Sequence, residues 1–289
     1  MEIIDGRKIS SEIKGEISAR VQERKVAGKK IPHLAIILVG DDGASQTYVD
    51  NKVKACREVG FNYSMLRFSA TISEDKLMKH IDQVNRDEDV DGFIVQLPLP
   101  QGISVERITE KIRPDKDVDG FTNRNFGSIV SKQPLLMPAT PYGVMELLRR
   151  YNIPTQGKNC VVVGASRLAG APLAMMLVEQ GLATVTICHK YTEDLKSFTK
   201  KADILVSAVG KPGLITGDMV KEGVVVIDVG TTRVEGPQFK NGYAIKGDVD
   251  FTPVSAKASH ITPVPGGVGP MTIASLLLNT LRATELRHP

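Results

Sequence analysis

Cysteine is scarce in this chain: Cys56, Cys160 and Cys188 are odd in number and far apart, which excludes a disulfide framework and a cysteine-based metal site. They are expected as small reduced residues of a core. No apolar run reaches the length of a membrane span, and Met1-Glu2-Ile3-Ile4-Asp5-Gly6-Arg7-Lys8 lacks the apolar stretch of a signal peptide. The expected location is the cytoplasm, with no membrane partner. A basic stripe is missing too. The formal net charge of +4 is scattered, with adjacent cations only in pairs such as Lys29-Lys30, Arg149-Arg150 and Lys200-Lys201, so nucleic acid is not an expected partner. There is no internal repeat and no low-complexity tract.

What is present is ordinary globular composition, 42% hydrophobic and 24% charged, over 289 residues. That length predicts two lobes, each large enough to bury a core. Apolar periodicity and turn residues place helices over 10–27, 44–59, 73–84, 170–179 and 271–286, and strands over 34–40, 65–68, 92–96, 160–163, 184–188, 204–209 and 224–229. The strand over 92–96 runs into Leu97-Pro98-Leu99-Pro100, where two prolines stop the ladder. Thr140-Pro141 reads as a helix cap followed by a first-position proline. Alternation of this kind predicts an α/β protein: two α/β lobes around a cleft, the second a Rossmann-like doubly wound parallel sheet. The expected division is 1–121 and 122–270, with the helix over 271–289 returning to the first lobe.

The segment Cys160-Val161-Val162-Val163-Gly164-Ala165-Ser166-Arg167-Leu168-Ala169-Gly170-Ala171-Pro172 reads as buried strand, small-residue turn and helix. Gly164 and Gly170 let backbone approach a phosphate, and the N–H groups opening the helix carry a partial positive charge. The spacing departs from Gly-x-Gly-x-x-Gly, so an ordinary βα turn competes with a dinucleotide site. The next strand ends in Cys188-His189-Lys190-Tyr191, with no carboxylate at its tip to hold ribose hydroxyls. Ser166, Lys190 and Arg167 instead favour a cofactor with a 2′-phosphate, NADP over NAD; taken alone, Lys190 is a solvated surface charge.

In the first lobe Val49, Val53 and Cys56 mark the buried face of the second helix, while Asp50, Lys54 and Arg57 point away. Ser45, Tyr48 and Lys52 share the stripe beside that face. Tyrosine and lysine four apart can reach one ligand, and the helix begins at the C-terminal end of a parallel strand, where such folds bind ligands. The competing reading is a lysine stem lying over a packed tyrosine. Gln96 stands at another strand end. Asp115-Lys116-Asp117-Val118-Asp119-Gly120 begins like a calcium loop, but Phe126 occupies the twelfth position, so no metal is expected.

Four motifs in one order carry a family resemblance: Ser45-Gln46-Thr47-Tyr48-Val49-Asp50-Asn51-Lys52-Val53-Lys54-Ala55-Cys56, Gln96-Leu97-Pro98-Leu99-Pro100, Lys116-Asp117-Val118-Asp119-Gly120-Phe121, and Thr262-Pro263-Val264-Pro265-Gly266-Gly267-Val268-Gly269-Pro270-Met271-Thr272. Over its full length the chain resembles the bifunctional methylenetetrahydrofolate dehydrogenase/methenyltetrahydrofolate cyclohydrolase family. The resemblance implies an NADP-dependent enzyme of one-carbon metabolism, a homodimer acting on tetrahydrofolate derivatives, polyglutamylated ones included. It implies Lys52 as the principal catalytic residue with Tyr48, Gln96 and Asp119 around it. Substrate binding falls to Ser45, Pro98, Pro263, Pro265, Gly266 and Gly267, and cofactor binding to Gly164, Ala165, Ser166, Lys190 and Thr231. Many members carry arginine where Ala165 stands, serine where Lys190 stands, and cysteine where Ala139 stands. A non-catalytic nucleotide or folate binding module, and a two-lobed amino-acid dehydrogenase, are the readings from other classes.

Overall fold

The computed structural model describes residues 1–239 and 242–289. In chain order the elements are β1 (Glu2–Ile3), α1 (Gly6–Val26), β2 (His33–Val39), α2 (Gly43–Val59), β3 (Asn62–Phe68), α3 (Glu74–Arg86), β4 (Gly92–Val95), α4 (Val105–Glu110) and α5 (Asn123–Val130). There follow α6 (Ala139–Arg150), β5 (Asn159–Val163), α7 (Gly170–Glu179), β6 (Thr184–Cys188), α8 (Leu195–Thr199), β7 (Ile204–Ser207) and a 3-10 turn (Gly217–Met219). The chain closes with β8 (Val225–Asp228), β9 (Thr232–Glu235), β10 (Tyr243–Lys246), α9 (Phe251–Ser255), β11 (His260–Ile261) and α10 (Val268–Arg287).

These elements form two compact units. The first unit is Ser11–Ala139 with Ile273–Pro289, and the second is Met1–Ser10 with Thr140–Thr272. Each unit is therefore assembled from two separate stretches of the chain. Residues 1–10 join the second unit because β1 pairs in parallel with β11, Glu2 opposite His260 and Ile3 opposite Ile261. Residues 122–139 join the first, where Asn125 Nδ2 donates to Asp117 Oδ2 at 2.9 Å and the Ala139 N–H donates to the Asp119 carbonyl at 3.1 Å.

The first unit carries a three-stranded parallel sheet in the order β3-β2-β4. All seven residues of the central β2 are buried, which is why its run is continuously apolar rather than alternating. Its core joins Ala35, Ile37 and Val39 to Leu77, Ile81, Phe93 and Ile108, and each large side chain buried there contributes about 1.5–3 kcal/mol. Ser73 caps α3 by accepting from the Lys76 N–H at 3.4 Å, as its position before Glu74-Asp75 predicts.

The second unit carries a six-stranded sheet, order β1-β11-β8-β7-β5-β6, with every pairing parallel, a Rossmann-like arrangement. Val161, Val163, Leu205, Val226 and Ile261 form its core. The sequence pattern placed only parallel strands here, yet β9 and β10 form an antiparallel ribbon. Its strands are four residues long and charged, so their alternation passes for a surface loop. Thr140 is not a cap: α6 begins at Ala139, and the Thr140 hydroxyl lies 3.0 Å from that of Thr272. The Ala139 N–H is already satisfied by Asp119, so that helix end needs no side-chain cap at this position. The last helix opens at Val268, three residues earlier than the periodicity indicated, because Pro270 lies in the first turn, where a missing N–H is harmless. The three cysteines are free and buried. Among the described residues no helix is long and apolar enough to cross a membrane, and no cluster of side chains could hold a metal ion.

Candidate active site

In the first unit β2 ends at Val39, Gly40 turns the chain with φ 83°, and Asp42 caps α2 by accepting from the Ser45 N–H at 2.7 Å. This cap aligns Ser45, Tyr48 and Lys52 along α2, beside the buried Val49 and Cys56, with Asp50, Lys54 and Arg57 exposed. Lys52 is only 9% exposed and its Nζ donates to Gln96 Oε1 at 3.0 Å. Gln96 follows β4 directly, and its Nε2 is anchored on the Leu97 carbonyl at 2.6 Å, so the oxygen is turned to the lysine. The Leu97–Pro98 bond is cis and Pro98 is exposed.

Asp119 completes the group. Its loop is shaped by the buried Asp117 carboxylate, which accepts from the Gly120 N–H at 3.0 Å, the Thr122 N–H at 2.8 Å and Asn125 Nδ2 at 2.9 Å. Gly120 takes φ 72°, and a Cβ there would stand 2.5 Å from the Pro138 nitrogen, so no other residue fits the turn. Burial lowers the Lys52 amine well below the usual lysine range, opposed by the charge of Asp119 and more weakly by Cys56. Burial also pushes the Asp119 carboxyl up, with Lys52 opposing and Asp117 adding to the rise. Both shifts favour the neutral forms. An amine shifted this way is more readily present as the free base than an exposed lysine. Cys56, one turn beyond Lys52, is pushed up to about 12 by burial, so its thiol stays protonated. Tyr48 is 48% exposed, and the Ser45 hydroxyl is buried with no hydrogen-bond partner among the described residues.

The second unit places the glycine turn at the C-terminal end of β5. Gly164 adopts φ 113°, and a Cβ there would lie 2.3 Å from the Ala208 carbonyl oxygen. A Cβ on Gly170 would lie 1.8 Å from the Gly164 oxygen, so the two glycines close the turn and leave Ala165 and Ser166 exposed. Lys190 is exposed just past β6, its Nζ 4.8 Å from the centre of the Tyr191 ring, and Thr231 is exposed after β8. A small-residue turn opening α7, with a cation and no acid at the tip of β6, has the donor set a phosphorylated dinucleotide requires.

Pro263, Pro265, Gly266 and Gly267 also belong to the second unit, in the loop before α10. The Gly267 N–H donates to the Pro263 carbonyl at 2.8 Å, Val264–Pro265 is cis, and the Gly266 carbonyl accepts from the Arg7 N–H at 3.2 Å. Gly266 and Gly267 are buried and Pro265 exposed. A Cβ on Gly6 would collide with the Gly267 oxygen at 1.7 Å, so the loop is packed against the start of α1.

Asn279 escaped the sequence reading. Buried on α10, its Nδ2 donates to the carbonyls of Val118 at 2.8 Å and Met137 at 2.6 Å, fixing the backbone on either side of the Asp119 loop.

Residues 4–119 match the tetrahydrofolate dehydrogenase/cyclohydrolase catalytic domain, and residues 138–288 match the NAD(P)-binding domain of that family. The chain is 53% identical over 290 aligned residues to the bifunctional protein FolD of Flavobacterium johnsoniae, covering 99% of this chain and 98% of that relative. Among solved structures, the bifunctional FolD methylenetetrahydrofolate dehydrogenase/cyclohydrolase of Campylobacter jejuni is 46% identical with a TM-score of 0.94, each chain covered to 99%. The Trypanosoma brucei methylenetetrahydrofolate dehydrogenase-cyclohydrolase, complexed with NADP cofactor and inhibitor, is 39% identical with a TM-score of 0.93, covering 99% of this chain and 97% of that one. Sharing half its residues with such proteins along its whole length, the chain belongs to the tetrahydrofolate dehydrogenase/cyclohydrolase family.

Proposed function

We propose that the protein oxidises methylenetetrahydrofolate to methenyltetrahydrofolate with NADP and hydrolyses the product to formyltetrahydrofolate, supplying one-carbon units in the cytoplasm. The observation that carries this reading is the buried Lys52 amine, bonded to Gln96 and facing the Asp119 charge. The bridging methylene carbon lies between two nitrogens, so loss of hydride leaves a resonance-stabilised cation and requires no proton transfer. Bound NADP supplies the hydride acceptor. The chain's task in that step is alignment. Ser45, Tyr48 and Pro98 are assigned to the folate, Asp119 to the N–H donors of its pterin ring, and Pro263, Pro265, Gly266 and Gly267 to further substrate contacts.

Hydrolysis is different, because water adds to the methenyl carbon and ring opening requires protons to move. Lys52, shifted towards its neutral form by burial, takes the proton of the attacking water and returns one to the departing nitrogen, oriented by Gln96 and Tyr48. Gly164, Ala165, Ser166, Lys190 and Thr231 hold NADP, with Lys190 on the 2′-phosphate. A homodimer fits the outer edge of β6, which pairs with β5 alone among the described residues and where Ile187 is exposed, as is Leu182 just before the strand. Light scattering on the purified protein measures its mass directly, and a monomer would remove that assignment.

The deciding experiment follows methenyl formation and its later decay by absorbance, with NADP and separately with NAD. Turnover with NADP followed by decay is the expected result. Turnover with NAD alone would overturn the Lys190 assignment, and absence of turnover with either would leave a binding module.

A further inference from the structure

A second pair of buried titratable groups lies far from the lysine in sequence. Asp228 and Asp248 are 3% and 0% exposed in the second unit, the first at the C-terminal end of β8 and the second in the loop after β10. Val163, Ser207 and Asp228 form one row across β5, β7 and β8, and Gly164 follows the first of them. The Asp228 Oδ1 accepts from the N–H groups of Gly230 at 2.9 Å and Asp248 at 3.0 Å, and its Oδ2 from that of Val249 at 2.9 Å. The Asp248 Oδ2 accepts from the Ser207 hydroxyl at 2.9 Å and the Val209 N–H at 2.7 Å, and its Oδ1 from the Lys211 N–H at 2.8 Å. The Asp228 N–H in turn donates to the Thr262 hydroxyl at 2.7 Å.

Two glycines make room for the pair. A Cβ on Gly247 would lie 2.0 Å from Asp228 Oδ2, and one on Gly230 would lie 2.3 Å from Asp248 Oδ1. Two like charges packed this closely serve stability poorly, since each must be desolvated and they repel. What they accomplish is geometric. Five backbone N–H groups from three separate loops converge on four carboxylate oxygens. Residue 209 is held by Asp248, and its neighbour Ala208 is the residue whose carbonyl leaves no room for a Cβ at Gly164. Residue 230 is held by Asp228 and is followed by Thr231.

We propose that Asp228 and Asp248 are positioning residues for the dinucleotide, a carboxylate clamp that sets the segments 208–211 and 229–231 beside the Gly164 turn. The proposal rests on the reading that this turn holds NADP. An amide at either position would turn an NH2 group towards an N–H donor, so both positions require an acid. The groups facing Asp228 are Asp248, the Thr262 hydroxyl and the N–H groups of residues 230, 248 and 249; those facing Asp248 are Ser207 and the N–H groups of 209 and 211. Burial, reinforced by Asp248, pushes the Asp228 carboxyl up to about 6, against the pull of the N–H donors. One arm of the clamp therefore takes up a proton in mildly acidic solution.

The test is calorimetric titration of the full-length protein with NADP between pH 5 and 8, for the wild type, Asp248→Asn, Asp228→Asn and Ser207→Ala, with melting curves as the control for folding. Asp248→Asn is expected to weaken NADP about tenfold, and Ser207→Ala about threefold, by leaving buried donors or acceptors unpaired. In steady-state dehydrogenase assays the KM for NADP rises more than the KM for the folate. Wild-type affinity falls as the pH drops through about 6. The ligand's own phosphate titrates in that range, and the Asp228→Asn curve isolates its share because that variant lacks the protein's step. If Asp248→Asn fails to fold, Ser207→Ala and the paired pH curves decide the matter. Folded variants that bind NADP like the wild type, or superimposable pH curves for the wild type and Asp228→Asn, would overturn the clamp. A wild type that binds no NADP at any pH would instead remove the cofactor reading on which it rests.

Discussion

The two units bury charge in opposite ways. In the first, the Lys52 amine, which burial shifts towards its neutral form, has one hydrogen-bond acceptor among the described residues, Gln96, with the Asp119 carboxyl opposing that shift. In the second, Asp228 and Asp248 repel each other, yet each carboxylate accepts three hydrogen bonds. A group that accepts three hydrogen bonds is fixed in place, whereas a group with one such partner among the described residues keeps a direction open for a ligand. The contrast separates the part proposed to react from the part proposed to hold shape.

The strongest way to break the comparison is Lys52→Met, which keeps the volume and removes the proposed base. Cyclohydrolase turnover should fall about 10²–10⁴-fold, the range of a lost general base, while NADP affinity stays within about twofold. Wild-type turnover in a stopped absorbance assay would take Lys52 out of the chemistry.

Next in size is the pH dependence of stability set by Asp228. Its folded value is raised from 3.8 to about 6, so its favourable contribution is full below the unfolded value and is lost as the pH rises through about 6. Moving a carboxyl that far corresponds to about 3 kcal/mol. Urea unfolding of the wild type and Asp228→Asn should therefore show the difference in unfolding free energy, wild type minus variant, falling by about that amount between pH 4 and 7. A flat difference would mean that Asp228 ionises freely.

Gly164→Ala sharpens the comparison on the shape-holding side. The added Cβ meets the Ala208 oxygen at 2.3 Å with φ at 113°, so a loss of about 1–3 kcal/mol is expected, read as a lower melting temperature with weaker NADP binding. Unchanged melting would show that the loop yields without strain. The smallest effect belongs to a pair of neither kind, Lys14 and Glu58, 2.5 Å apart at the surface of the first unit. Lys14→Ala should change stability by less than about 1 kcal/mol, and a double-mutant cycle with Glu58→Ala measures the coupling.

Much of this was legible in the sequence, and the exceptions are instructive. Buried strands such as β2 and β5 announce themselves as continuous apolar runs closed by glycine, so the α/β class could be read directly. Tyr48 and Lys52 share a helix, so their common stripe follows from helical spacing alone. The ribbon β9–β10 and the two-residue strands β1 and β11 were not legible, because too few residues alternate to register above loop composition. Asp228 and Asp248 did not stand out in the sequence for a related reason: backbone N–H donors leave no mark in it.

By itself, then, the sequence determined the parallel α/β class, the helix face that carries Lys52 and the turn at Gly164, since each depends on residues a few positions apart whose sterics and periodicity are local. The tertiary structure alone decided that residues 1–10 join the second unit, that Gln96 meets Lys52 across 44 positions, and that Asn279 holds the carbonyl of Val118 from 161 positions away. Burial that shifts Lys52 and Asp228 from their ordinary titration ranges belongs with these. It is a property of everything packed around a group, which no stretch of neighbouring residues encodes.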